Sequence, residues 1–131
     1  MSNQDLFRKV KALGLPAGKY ALFGSAPLGI RNLKECHDID IIVTGDLWDE
    51  LKKKYEARVT PQGHEYLAQE EIEIWQDWSP GSWDVGQLIS EAEEIDGLPF
   101  VKLEQVLAWK KQYGREKDLK DVEMIEKNMQ P

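Results

Sequence analysis

The 131 residues predict an α+β domain in which a small mixed sheet is flanked by helices. Three observations carry that expectation. Short apolar runs of strand length occupy 20–23 and 38–44, a two-strand pattern occupies 64–69 and 71–78, and helical apolar spacing marks both ends of the chain. The order is helix, strand, helix, strand, helix, several strands, then helices, which is that of a sheet carrying helices.

Leu6, Val10 and Leu13 recur at helical spacing, so 4–13 is expected to open the chain as an amphipathic helix, broken by Gly14, Pro16 and Gly18. Tyr20–Phe23 is a short apolar strand ending at Gly24-Ser25, and 26–33 is a short helix or helical turn that starts at the serine. A loop over 34–37 leads into the strand 38–44. Asp46 is the expected N-cap of a helix through Leu47, Trp48, Leu51 and Tyr55. Residues 58–60 read as a strand closed by Pro61-Gln62-Gly63, and 64–69 with 71–78 as a hairpin or neighbouring pair, ended by Pro80-Gly81-Ser82. Residues 85–95 read as a helix, 98–101 as an extended piece, and Leu103–Tyr113 as a helix stopped by Gly114. Glu116–Met129 completes the chain as an amphipathic helix through Leu119, Val122 and Ile125. The length fits one domain, 1–131, with a single core.

Hydrophobic residues make up 41% of the chain and charged residues 31%, the balance of an ordinary globular protein. A net charge of -7 argues against broad nucleic-acid binding, which needs a positive surface, but leaves room for a small nucleotide in a local basic pocket. Cys36 is the single cysteine, so no intramolecular disulfide can form. No apolar run approaches membrane-spanning length and the N-terminus lacks an apolar signal core, so a cytoplasmic protein with no membrane partner is expected.

The chemistry concentrates between Leu22 and Val43. Alternation along a strand points Asp38 and Asp40 one way and Ile39 and Ile41 the other. Two carboxylates roughly 6.6 Å apart on one face repel and resist burial, a conflict that a divalent cation bridging them to a polyphosphate removes. Gly24 permits close backbone approach, and Ser25 opens a helical turn whose N–H groups and hydroxyl suit a phosphate. Taken alone, the Gly-Ser pair also reads as a plain strand-to-helix turn. Twelve residues separate Ser25 from Asp38, enough for a short helix that returns the chain to an adjacent strand and lets both features face one cleft.

Phe23-Gly24-Ser25 followed by Asp38-Ile39-Asp40-Ile41 resembles the motif of the nucleotidyltransferase superfamily, the polymerase-beta-like fold, and the chain looks most like its small bacterial minimal and antibiotic-type members. The resemblance implies that Gly24 and Ser25 hold nucleotide phosphates and that Asp38 and Asp40 ligate Mg²⁺. It also implies a third carboxylate on a later strand. Glu71-Ile72-Glu73-Ile74-Trp75 offers one: Glu73 is the choice because isoleucine on both sides marks a buried strand centre, with Glu71 in reserve.

Arg31 and Lys34 lie where the family often has basic residues, and either would reach phosphate or remain a solvated charge. The charged run from Gly114 to Asp121 is similar to the C-terminal helix of antibiotic-type members, which implies that Lys117 reaches the nucleotide and Asp121 orients a basic group. The alternative is an exposed Lys117–Asp121 pair one turn apart. Trp75, Trp78 and Trp83 either fill the core or form a stacking wall for a ring.

The expectation is therefore a nucleotidyltransferase using two Mg²⁺ ions and a nucleoside triphosphate, ATP first among them. It would transfer the nucleoside monophosphate to the hydroxyl of a small molecule and release pyrophosphate. The rivals are a toxin–antitoxin type enzyme acting on a protein or an RNA end, and a nucleotide- or partner-binding module without turnover. A homodimer or a partner protein is expected to complete the acceptor side.

Overall fold

The structure, a computed structural model, describes residues 1–129. A capping box starts α1 (Asn3–Ala12): the Ser2 hydroxyl accepts from the Asp5 N–H at 3.1 Å and the Asp5 carboxylate accepts from the Ser2 N–H at 3.2 Å. There follow β1 (Tyr20–Phe23), α2 (Ala26–Gly29), β2 (Ile39–Val43), α3 (Gly45–Leu51), β3 (Glu56–Val59), β4 (Glu65–Gln69) and β5 (Ile72–Trp75). The remainder is α4 (Val85–Ser90), β6 (Glu93–Ile95), β7 (Leu98–Phe100), α5 (Leu103–Tyr113) and α6 (Glu116–Met129). This is the α+β class, with a mixed sheet of seven strands among the described residues, ordered β3-β4-β5-β2-β1-β7-β6.

The centre of the sheet sets the geometry of everything below. β1 pairs antiparallel with β2, and β2 pairs parallel with β5. The strands have two differently packed faces. Ile39, Ile41, Ile72 and Ile74 join Leu6, Phe7 and Val10 of α1 and Leu47 and Trp48 of α3 in one apolar cluster. Ala21, Phe23 and Ile42 face the other way, toward Leu88 and Ile89 of α4, Val106 and Trp109 of α5 and Ile125 of α6. Asp40 lies between Ile39 and Ile41, so it belongs to the second face.

Three local expectations change. Thr44, in extended backbone, is the N-cap of α3, and Asp46 lies in its first turn. The Lys19 ammonium and the Thr44 hydroxyl on Asp46 hold its carboxyl down at about 2. The helix expected over 85–95 stops at Ser90, because Asp96 (φ 52°) and Gly97 (φ 83°) form a two-residue turn with both φ positive that folds β6 back onto β7. Leu119 is 54% exposed; α6 turns Asp118, Asp121, Val122 and Ile125 inward instead, a stripe at the i, i+3, i+4, i+7 spacing of one helix face.

No helix among the described residues is long and apolar enough to cross a membrane.

Candidate functional site

Register alone brings the two central acids together. Phe23 stands opposite Asp40 across β1 and β2, and Asp40 stands opposite Glu73 across β2 and β5. Gly24 follows directly at the end of β1 with φ 62°. A Cβ there would overlap the Asp40 carboxylate and lie 3.3 Å from its Cβ and Cγ, so only glycine lets the acid sit against the turn.

Asp40 is half-buried, and the Trp75 indole N–H donates to its Oδ1 at 3.1 Å. Burial pushes its carboxyl well above the usual range, and the charges of Asp38 and Glu73 push it further, against the Trp75 hydrogen bond. Glu73 is also raised, first by burial and then by the Asp38 charge. Asp38 is exposed and borders the same cleft.

Two clefts meet at Asp40. One, of about 250 Å³, is bordered by Gly24, Ser25, Asp38, Lys34 and Lys117. The other, of about 270 Å³, holds Glu73, His64 and the rings of Trp75, Trp78 and Tyr113. Asp40, Trp109 and Arg115 border both. Ser25 is half-buried at the head of α2, and its side chain makes no capping hydrogen bond, which leaves the hydroxyl to the first cleft.

The structure thus gathers Gly24, Ser25, Asp38, Asp40, Glu73 and Lys117. It does not gather Arg31, whose Nη1 donates to the Pro27 carbonyl at 2.7 Å and whose Nη2 pairs with Glu93 on β6. Arg31 borders neither cleft. Glu71 is also elsewhere: Lys9 of α1 binds it at 2.9 Å and holds its carboxyl below the usual range. Asp121 forms no pair with Lys117; its Oδ2 takes Lys110 at 2.9 Å and Lys34 at 2.7 Å. The aromatic alternatives both occur. Trp78 stacks on Phe23 at 4.5 Å within the second core cluster and also borders the second cleft, as does Trp75, stacked on Tyr66 at 4.7 Å. Trp83 donates to the Pro80 carbonyl and borders neither cleft.

Sequence reasoning missed Trp109, Lys110, Arg115 and Asp118. A usable signal was Arg115 and Asp118 three residues apart at a helix start, within a run already notable for its charge.

No three of the acidic, histidine or cysteine side chains among the described residues stand close enough to form a ready-made metal cage. The donor set is nevertheless all carboxylate oxygen, which suits Mg²⁺. That ion is ordinarily held by one or two carboxylates, with water and substrate phosphate supplying the other ligands. The crowding of Asp38, Asp40 and Glu73 that raises the Asp40 and Glu73 carboxyls is relieved by such a cation.

No protein-family model, curated protein or solved structure matches the chain.

Proposed function

We propose that this protein is a Mg²⁺-dependent nucleotidyltransferase that moves a nucleoside monophosphate from a nucleoside triphosphate to the hydroxyl of a small molecule. The observation that carries the reading is the position of Asp40: against the Gly24 turn, opposite Glu73, and at the junction of two clefts. The first cleft suits the triphosphate, with the free Ser25 hydroxyl and Lys117 at its border. The second suits the acceptor, because it has aromatic walls and brings Glu73 to its border.

Asp38 and Asp40 would hold Mg²⁺ on the triphosphate side, with a second ion shared between Asp40 and Glu73. Bound there, the metal supplies charge neutralisation of the polyphosphate and a lowered pKa for the acceptor hydroxyl. The protein's own groups orient the reactants. Trp75 fixes Asp40 by its indole N–H, Ser25 and Lys117 bind phosphate oxygens, and Glu73 takes the acceptor proton. The acceptor oxygen bonds to the α-phosphorus, the bond from that phosphorus to the bridging oxygen breaks, and the electron pair leaves on pyrophosphate. No covalent enzyme intermediate is needed.

A cleft of about 270 Å³ favours a small acceptor over a protein or an RNA end. The same reading expects a second copy or a partner protein to wall the acceptor side; light scattering on an active sample checks it, and full activity as a monomer overturns it.

Thermal unfolding with each of four nucleoside triphosphates, with and without Mg²⁺, tests the reading. A nucleotide at about a hundred times its dissociation constant adds roughly 2.7 kcal/mol, a shift of several degrees for a domain of this size. The shift should require Mg²⁺ and vanish in Asp38→Asn/Asp40→Asn. No shift with any nucleotide overturns the reading.

A further inference from the structure

One cation stands where the two clefts meet. The Arg115 guanidinium is held by Asp118, with Nε donating to Oδ2 at 2.6 Å and Nη2 to Oδ1 at 3.1 Å. Its carbon lies 3.5 Å over the Tyr113 ring. This fork-and-ring seat fixes the plane of the group and leaves Nη1 without a protein partner among the described residues.

Asp118 is itself fully buried and rigidly placed, 3.6 Å from the buried Lys110 ammonium. Lys110 continues to Asp121 at 2.9 Å, and Asp121 to Lys34 at 2.7 Å. Three cations thus surround two acids, so the network carries one positive charge beyond what its own neutrality requires. That cationic side faces Asp38 and Asp40 across the first cleft, the pairing of charges that a metal-bound phosphate would sit between.

We infer that Arg115 is a catalytic residue that binds the α-phosphate and takes the charge gathering on it during transfer, with Asp118 as its positioning residue. This rests on the nucleotidyl-transfer reading above. Lys117 borders the first cleft alone and suits the departing β- and γ-phosphates, whereas Arg115 borders both and stands beside the group that passes from one to the other. The bonds formed and broken are those already given: acceptor oxygen to phosphorus, phosphorus from pyrophosphate, acceptor proton to Glu73. Arg115 meets the transferred phosphoryl oxygens and exchanges no proton.

The competing role for Arg115 is structural: it neutralises Asp118 and its backbone N–H donates to Asp118 Oδ2 at 3.2 Å where α6 starts. Titrations of MgATP and of AMP, followed by tryptophan fluorescence, separate the two roles, since Trp109 borders both clefts. Arg115→Ala should weaken both ligands about tenfold, the loss expected for one charge-assisted contact. Arg115→Lys should weaken them less, and millimolar methylguanidinium should restore part of the loss in Arg115→Ala. Lys117→Ala should weaken MgATP and spare AMP.

Asp118→Asn should reduce affinity several-fold with the charge intact; if it does not fold, Tyr113→Ala removes the other side of the seat from an exposed position. A lowered melting temperature in Arg115→Ala with unchanged affinity for both ligands overturns the inference and leaves the nucleotide reading standing. A wild type that binds no MgATP overturns both.

Discussion

Gly24 and Asp40 compete for the same space: a methyl group on the glycine would lie 3.3 Å from two carbons of the aspartate and overlap its carboxylate. Gly24→Ala therefore combines a positive φ with a clash against a side chain that Trp75 and strand pairing hold in place. The expected loss is about 2–4 kcal/mol. Chemical denaturation measures it, and any variant that folds should no longer respond to MgATP.

Asp40 and Glu73 bind protons more tightly folded than unfolded, because burial and neighbouring charge disfavour their ionised forms. Above the ordinary carboxylate range, near pH 4, the unfolded chain ionises first and gains from it. Their contribution is thus fully present at low pH and falls away as pH climbs through the raised folded values. Melting curves in EDTA should show wild type losing stability relative to Asp40→Asn/Glu73→Gln as pH rises from 4 toward 8. Saturating Mg²⁺ and nucleotide should flatten that difference.

Two glutamates two residues apart in sequence should behave oppositely. Glu71 is exposed enough in its pair with Lys9 that Glu71→Gln should leave stability nearly unchanged and keep the nucleotide-dependent shift. Glu73→Gln should lose most of the shift, with the apo protein as stable as wild type or more so, since a like charge has left Asp40. Parallel melts with and without MgATP decide between them.

Lys110 is 4% exposed between Asp118 and Asp121, both also buried. Lys110→Ala should cost about 3 kcal/mol, the low end for breaking a buried pair, because Asp118 keeps Arg115 and Asp121 keeps Lys34 but both lose the buried cation they share. Arg8→Ala, which breaks an exposed pair with Asp5 on α1, should cost under about 0.5 kcal/mol. Urea titrations of both variants test the contrast.

Elements with unambiguous punctuation were legible in the sequence. Tyr20–Phe23 ends at a glycine, Leu103–Tyr113 ends at Gly114 in left-handed conformation, and both lie where apolar spacing places them. The stretch 85–95 misled because Val85, Leu88, Ile89 and Ala92 keep helical spacing up to the strand β6, while the Asp96-Gly97 turn that defines a hairpin follows only after it. That misreading also concealed the partner of Arg31, since Glu93 belongs to β6. Glu73 could be singled out from Glu71 by the isoleucine on each side of it, a local mark of the strand centre that Glu71 lacks. Lys110 could not, because its place at the first cleft depends on how α5 and α6 pack, and the Arg115–Asp118 spacing marks a helix start without telling that a cleft lies beside it.

Lys34, in the loop before the aspartate strand, is bonded to Asp121 across 87 residues of sequence. On the ribosome, therefore, the glycine turn and both aspartates emerge well before the helix that supplies Asp118, Asp121 and the network's hold on Arg115. A nascent or prematurely terminated chain can assemble the central strands yet lacks the cationic side of the cleft. Any activity of this site is in effect a report that synthesis has passed Asp121.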